Sequence, residues 1–88
     1  MYKIEYSKDI EKDLSKLPKN DVSKIFEKID RLSENPRSFG AEQLQGNFKG
    51  LHRIRSGNYR VIYQIIDEKL IILVVKVSHR RQIYRNKS

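Results

Sequence analysis

The chain has 88 residues, no cysteine and two histidines, His52 and His79, which lie far apart in sequence. This composition excludes a disulfide framework and a thiolate metal site, and it argues against a dedicated zinc site. The longest apolar run, residues 70–75, is too short to span a bilayer, and the first residues lack a signal-peptide pattern. We therefore expect one small domain over residues 1–88, located in the cytoplasm and without a metal or cofactor.

The charge is distributed unevenly along the chain. Residues 1–45 contain nine basic and nine acidic residues, whereas residues 46–88 contain ten basic residues against only Asp67 and Glu68. The net charge of +8 therefore lies entirely in the second half. Because that half also has the pattern of β-strands, its arginines would be held on a rigid sheet, which favours a partner rich in phosphate.

The first half begins with a short strand followed by a helix. Residues 2–6 alternate large and charged side chains, the pattern of a strand with one buried face. Ser7 is suited to cap the helix that follows, and Pro18 ends it because the residue before a proline disfavours the α region. One apolar stripe runs along this helix, formed by Ile10, Leu14 and Leu17.

A second helix follows, with Asn20 or Asp21 as its expected cap and Asn35-Pro36 as its end. Five apolar positions form one helical face: Val22, Ile25, Phe26, Ile29 and Leu32. The two helices predict a hairpin that must bury its shared apolar stripe against another layer.

The second half predicts three strands after a polar connector at residues 39–50. The strands are residues 51–55, 59–66 and 70–77, with turns at residues 56–58 and 67–69. The last two strands are almost wholly apolar and should be central. The predicted fold class is α+β with the order βααβββ: an N-terminal strand and a helical hairpin packed on a mainly antiparallel twisted sheet.

The hairpin register predicts which face the arginines occupy. With Gly57-Asn58 as a two-residue loop, Arg55 lies opposite Arg60 and Ile54 lies opposite Val61. Arg53, Arg55 and Arg60 then share one face without a carboxylate among them, while Ile54, Val61, Tyr63 and Ile65 face the helices. A cross-strand pair of like charges is destabilising by itself, so its presence favours a site that holds an anion.

The register of the last strand is less well determined. A two-residue loop at Glu68-Lys69 sets Val77 opposite Arg60 and brings His79 onto the arginine face, whereas a three-residue loop at residues 67–69 is the alternative. Ordinary roles also remain open. An exposed arginine is most often a solubilising charge, His79 a surface or packed histidine, and Tyr84 an anchor for the tail.

The composition of the basic half narrows the chemistry. It contains no convincing set of nucleophile, base and orienting residue, and its only two carboxylates lie in a turn, which argues against a two-metal nuclease. A cationic site with one imidazole and one phenol fits the attack of an RNA 2′-OH on the adjacent phosphate. Arginines would stabilise the charge, His79 would transfer protons and Tyr84 would stack on a base.

Three segments carry a family resemblance: GNYRVIYQI at residues 57–65, DEK at residues 67–69 and SHRRQIYR at residues 78–85. In this order and spacing they resemble the RelE/ParE toxin superfamily, and within it the RelE branch. The resemblance covers essentially the whole chain. It implies a toxin of a type II toxin–antitoxin system. Its expected activity is that of an mRNA interferase, an endonuclease that cleaves mRNA in the ribosomal A site by the 2′-OH route without a metal.

The resemblance also assigns roles to residues. It places stabilisation of the phosphate on Arg60, a second active-site arginine on Arg80 and base stacking on Tyr84. It places phosphate binding on Arg53 and Arg55, where the family often has lysines. Arginine holds its proton too tightly to act as an ordinary base, so His79 is the candidate for proton transfer. Further RNA-binding candidates are Arg81 and Arg85.

The partners implied by the resemblance are a cognate antitoxin, the ribosome and mRNA in its A site. Two other functions remain open on the same fold. One is a ParE-like inhibitor of DNA gyrase, although the terminal HRxxxIY segment argues against it. The other is a non-catalytic homologue that only binds RNA or its antitoxin.

Overall fold

A computed structural model describes residues 1–38, 40–44 and 50–79 of the chain. These residues form two α-helices, one 3₁₀ turn at Asp67–Lys69 and five strands: β1 (Lys3–Tyr6), α1 (Lys8–Ser15), α2 (Lys19–Leu32), β2 (Glu42–Gln43), β3 (Leu51–Ser56), β4 (Tyr59–Ile66) and β5 (Ile71–His79). The strand order is β1-β5-β4-β3-β2, with β1 parallel to β5 and the other pairs antiparallel. This confirms the α+β prediction and adds one short strand, β2, within the predicted connector.

Both helices begin differently from the capping expected of them. Ser7 occupies the position before α1, but its hydroxyl accepts no capping hydrogen bond from the helix and instead donates to the carbonyl of Val75 in β5 at 3.3 Å. Helix α2 begins at Lys19, directly after Pro18, so the predicted caps Asn20 and Asp21 lie in its first turn. Proline suits a helix start because it has no N–H to satisfy and its φ is restricted. None of the helices in the described ranges has the length and apolar character needed to cross a membrane.

The core lies between the helical hairpin and one face of the sheet, which we call the inner face. It contains ten buried side chains: Ile10, Ile25, Ile29, Leu32, Ile54, Val61, Tyr63, Ile72, Val74 and Val77. The predicted apolar faces of both helices and of β3 and β4 therefore meet as expected. Two members of the predicted α2 face lie outside this core: Val22 is half-buried, and Phe26 remains 37% exposed and packs edge-on against Tyr6.

Tyr63 is the central anchor of this core. Its side chain is fully buried, and its hydroxyl donates to the backbone carbonyl of Pro36 at 2.7 Å. Burial raises the pKa of Tyr63 to about 12. His52, directly opposite in β3, stacks on the Tyr63 ring with 5.6 Å between centroids, so its role is one of packing within the sheet. The hydrogen bond to Pro36 joins the sheet to the segment that follows α2.

A second link closes the same end of the molecule. Arg37 forms two hydrogen bonds with the carboxylate of Asp67, the shorter one 2.8 Å, and the hydroxyl of Tyr2 donates to Asp67 at 2.6 Å. These bonds lower the pKa of the Asp67 carboxyl. They connect the N-terminus, the segment after α2 and the β4–β5 turn. Because Arg37 and Asp67 are exposed, we assign the cluster a positioning role and no large stabilisation.

The β3–β4 register agrees with the prediction, since Arg55 pairs with Arg60 and Ile54 with Val61. The β4–β5 register agrees only in its first half. Ile66 pairs with Ile71, but a β-bulge between Ile62 and Tyr63 leaves one extra residue, Val75, on the β5 side. Beyond the bulge, Arg60 lies opposite Ser78, so the prediction that it faces Val77 was wrong.

Helix α1 and the segment before it hold the bulge in place. The carbonyl of Val75 accepts the Ser7 hydroxyl, and the N–H of Val77 donates to the Asp13 carboxylate at 3.2 Å. The ammonium group of Lys76 contacts the same carboxylate at 3.2 Å. An extra residue loses its regular ladder partner, and these contacts from α1 supply replacements. No pattern within β5 itself reports such partners, which is why the sequence did not predict the bulge.

We expect Tyr63→Phe to destabilise the fold by about 1–3 kcal/mol, because the buried Pro36 carbonyl loses its donor. Urea unfolding followed by circular dichroism measures this. Tyr59→Phe is the matched control: its hydroxyl donates to the Asp21 carboxylate, which water can reach, so the loss should be smaller. Equal losses in the two variants would contradict the anchoring role of Tyr63.

A pH dependence follows from His52. Partial burial, with the nearby charge of Arg37, lowers its pKa below the ordinary value of 6.5. The unfolded chain therefore binds this proton more readily, so stability is full above about pH 6.5 and falls as the pH drops toward the lowered value. We expect His52→Gln to lose stability less steeply between pH 7 and pH 5, measured by urea unfolding at each pH. If the stability of both proteins changed equally with pH, His52 would be excluded as the source of the pH dependence.

Candidate functional site

The arginine face is the side of the sheet turned away from the helices, and it carries Arg53, Arg55 and Arg60. The β3–β4 pairing places all three on that side, because Ile54 and Val61 between them are buried on the inner face. This confirms the predicted grouping. Their surroundings differ: Arg55 is exposed, the Arg53 side chain is 21% exposed and Arg60 is only 5% exposed.

The enclosure of Arg60 matters for chemistry. Next to it across the β4–β5 ladder lies Ser78, which is also nearly inaccessible to solvent. A charge screened poorly by water acts more strongly on a nearby anion. Arg60 therefore presents a poorly screened positive charge beside the more exposed Arg55, a group suited to stabilising negative charge in a reaction.

Glu42 is a site residue that sequence reasoning missed. It lies opposite Arg53 in β2, and its carboxylate accepts a hydrogen bond from the Arg53 Nη2 atom at 2.8 Å. The expectation that no carboxylate shares this face was therefore wrong. A two-residue strand within a polar connector leaves no periodic signal, so the sequence offered no means of pairing Glu42 with Arg53.

The electrostatics of Glu42 report on the whole arginine face. The hydrogen bond from Arg53 lowers the pKa of the Glu42 carboxyl, and the charges of Arg55 and Arg60 lower it further. The three guanidinium groups therefore all favour negative charge at the position of the Glu42 carboxylate. The carboxylate of Glu42 occupies a position where a phosphate group of a ligand would meet the same positive charges.

His79 lies on the inner face, which corrects the prediction that it joins the arginines. The extra residue at the bulge reverses the alternation of side chains, so Ser78 takes the place on the arginine face and His79 pairs with Tyr59. The two rings meet edge to face with 5.6 Å between centroids, and the Tyr59 hydroxyl donates to Asp21 at 3.0 Å. The imidazole is thus not placed beside Arg55 and Arg60.

The remaining predicted site residues lie outside the described part of the chain: Arg80, Arg81, Tyr84 and Arg85. The described part of β5 ends at His79, opposite Tyr59, at the same end of the sheet as the Arg55–Arg60 pair. In the described ranges, no cluster of three or more histidine, aspartate or glutamate side chains has an arrangement suited to a metal ion.

Comparison with known proteins matches this fold and these residues to one family. A family model for the ParE toxin of type II toxin–antitoxin systems matches residues 4–84. Toxin RelG of Mycobacterium tuberculosis is 32% identical over 85 residues, which cover 96% of this chain and 97% of the relative. The mRNA interferase toxin RelE of Escherichia coli K12 is 30% identical over 83 residues, covering 92% of this chain and 85% of the relative.

Solved structures agree with the sequence comparison. The toxin–antitoxin complex RelBE2 of Mycobacterium tuberculosis contains a chain that superimposes with a TM-score of 0.81 at 29% identity. The match covers 90% of this chain and 98% of that chain. The β1-α1-α2-β2-β3-β4-β5 order, the arginine face and these matches over nearly the full length lead to one conclusion: the chain belongs to the RelE/ParE superfamily of type II toxin–antitoxin toxins and is a RelE-like member.

Proposed function

We propose that the protein is a ribosome-dependent mRNA endonuclease that cleaves by attack of an RNA 2′-OH on the adjacent phosphate. The observation that carries the proposal is the anion position on the arginine face, where Glu42 is bound by Arg53 within the field of Arg55 and Arg60. A further support is the Escherichia coli relative, which is named an mRNA interferase.

The attacking and leaving oxygens both belong to the RNA, so the protein forms no covalent bond in this reaction. The 2′-oxygen attacks phosphorus, the bond from phosphorus to the 5′-oxygen breaks, and the 2′-OH proton passes to an acceptor while a donor protonates the 5′-oxygen. The products are a 2′,3′-cyclic phosphate and a 5′-OH. The protein must orient the strand and stabilise the negative charge that builds up on the phosphorane.

The residues divide these tasks by their positions. Arg60, the least exposed of the three, is assigned to the charge on the phosphorane, with Arg80 as the second arginine that the family pattern implies. Arg53 and Arg55 are assigned to phosphate binding at the more open end of the face. Tyr84 is assigned to base stacking, and the tail arginines to the RNA backbone. Proton transfer by His79 would require its ring to leave Tyr59, so this geometry argues against that role.

An antitoxin partner is part of the proposal. The Mycobacterium tuberculosis structure that resembles this chain is a toxin–antitoxin complex. In this chain, a net charge of +8 concentrated in the second half would attract an acidic segment to the arginine face. Such a segment would compete with RNA for the same guanidinium groups, which is a physically sufficient means of neutralising the toxin.

Loss of Arg60 or Arg80 should abolish cleavage. We expect Arg60→Gln and Arg80→Gln each to slow cleavage by about 100-fold or more, the effect of removing a positioned charge-stabilising group. Primer extension on a defined mRNA, with and without programmed ribosomes, measures cleavage at the A site. Lys12→Gln, an exposed charge on α1, is the control for charge loss.

His79→Gln provides a matched comparison at the same end of the sheet. With its ring on the inner face, we expect the variant to retain activity within about tenfold, below the usual contribution of a general base. Circular dichroism and antitoxin binding check that each variant is folded. Full activity of both arginine variants would refute the assignment of the site, and absence of cleavage by folded wild type would refute the nuclease.

Removing the negative charge of Glu42 should strengthen RNA binding. We expect Glu42→Gln to bind single-stranded RNA about two- to fivefold more tightly, because Arg53 no longer has to give up its bond to a carboxylate before it binds a phosphate. The gain is small because an exposed ion pair contributes little energy. Fluorescence anisotropy at low salt measures the affinity. Glu34→Gln makes the same charge change at an exposed position after α2 and should have a smaller effect. Equal gains would show that only net charge matters.

Inhibition of DNA gyrase is the second candidate activity, because the family model that matches is that of ParE toxins. ParE-like toxins would act on DNA gyrase and leave mRNA intact. A supercoiling assay with purified gyrase separates the two activities. Inhibition of supercoiling by the wild-type protein, together with uncut mRNA on programmed ribosomes, would replace the endonuclease proposal.

A further inference from the structure

A cleft of about 570 Å³ opens between the C-terminal half of α2 and the edge formed by β2 and β3. Its apolar residues are Leu32 and Ile54, both nearly inaccessible to solvent and part of the core. The cleft is therefore a surface depression with an apolar floor whose shape depends on the core packing. Its volume is within the range typical of sites for small organic ligands.

The rim of the cleft is positively charged. Lys28 and Arg31 of α2 line one side, and they lie three residues apart, so they share one side of the helix. Arg55 of β3 lines the opposite side together with Glu42, and all four side chains are exposed. The carboxylate of Glu42 is bound to Arg53 and offsets part of this charge, so Lys28, Arg31 and Arg55 still leave the rim with a net positive charge.

The cleft is continuous with the arginine face. Arg55 belongs to both, since it pairs with Arg60 on that face and also lines the cleft. The pairing of β2 with β3 ends at Glu42 opposite Arg53, so Arg55 lies beyond it, at the open edge of the sheet. A strand bound across the arginine face would therefore pass over this edge toward Lys28 and Arg31.

We propose that the α2–β3 cleft binds a second nucleotide of the same single-stranded RNA, outside the phosphate that is cleaved. Lys28 and Arg31 contact its phosphate, and its base lies on the apolar floor. This proposal rests on the proposed function, because it needs RNA on the arginine face. The continuity through Arg55 favours RNA over an acidic peptide, since every nucleotide of the strand carries a phosphate that needs a positive partner.

The test is RNA binding by a double variant, Lys28→Glu with Arg31→Glu. The probe is a short 2′-O-methyl oligoribonucleotide, which lacks the attacking hydroxyl and therefore reports binding without cleavage. We expect the dissociation constant to rise about tenfold or more, and the slope of its logarithm against the logarithm of salt concentration to fall by about 0.7 for each lost phosphate contact. Lys28→Gln with Arg31→Gln should show a smaller change in the same direction.

The matched control is Lys12→Glu with Lys16→Glu, which makes the same change in net charge at two exposed positions, one in α1 and one directly after it. We expect its affinity to change by about twofold at most, because only long-range attraction is altered. Equal losses in the two charge-reversed double variants would overturn the cleft assignment. Unchanged RNA affinity together with weaker binding of an acidic antitoxin segment would also overturn it and assign the cleft to a protein partner.

The readout separates this proposal from the proposed function. If folded wild-type protein binds the oligonucleotide but never cuts mRNA on ribosomes, the endonuclease fails while the cleft is still tested. If cleavage occurs and the two double variants bind RNA equally well, the cleft assignment fails while the endonuclease stands. Circular dichroism of all variants confirms that the exposed substitutions leave the fold intact.

Discussion

The burial of Tyr63 and Val61 is the constraint on which the other features depend. Both side chains are inaccessible on the inner face of β4, and the Tyr63 hydroxyl is committed to the Pro36 carbonyl. Because side chains alternate along a strand, burying these two residues forces Arg60 onto the opposite face. A slip of one residue would exchange the two sets and place arginines in the core, so hydrophobic burial determines where the charges of the site lie.

The bulge at Val75 shows how helix α1 modifies that alternation. Contacts from Ser7 and Asp13 support the extra residue, which moves Ser78 to the arginine face and His79 to the inner face beside Tyr59. The position of the only imidazole at this end of the described chain thus depends on contacts made by a helix more than sixty residues earlier in the sequence. The arginines of the β3–β4 hairpin lie outside this shift.

The site combines a strong positive field with an internal anion. Glu42 relieves part of the repulsion between the facing Arg55 and Arg60, and its lowered pKa records how strongly the three arginines favour negative charge. A bound phosphate would replace the Glu42 carboxylate as the partner of these arginines. The carboxylate thus stabilises the arginines in the free protein and leaves the site accessible to a ligand. The basic rim of the α2–β3 cleft extends this field around the edge of the sheet, so an RNA strand and an acidic antitoxin would compete for overlapping positive surface.

By itself, the sequence determined the helices, the three main strands, the β3–β4 register and the face shared by Arg53, Arg55 and Arg60. These features rest on local patterns: apolar spacing of two or nearly four residues, and a Gly-Asn turn that sets the pairing. Only the tertiary structure decided the partner of Arg53, the face of His79 and the cleft beside Arg55. Each of these depends on contacts between distant segments, because β2 is too short to produce a pattern and the bulge is stabilised by α1. No periodicity within one element encodes such contacts.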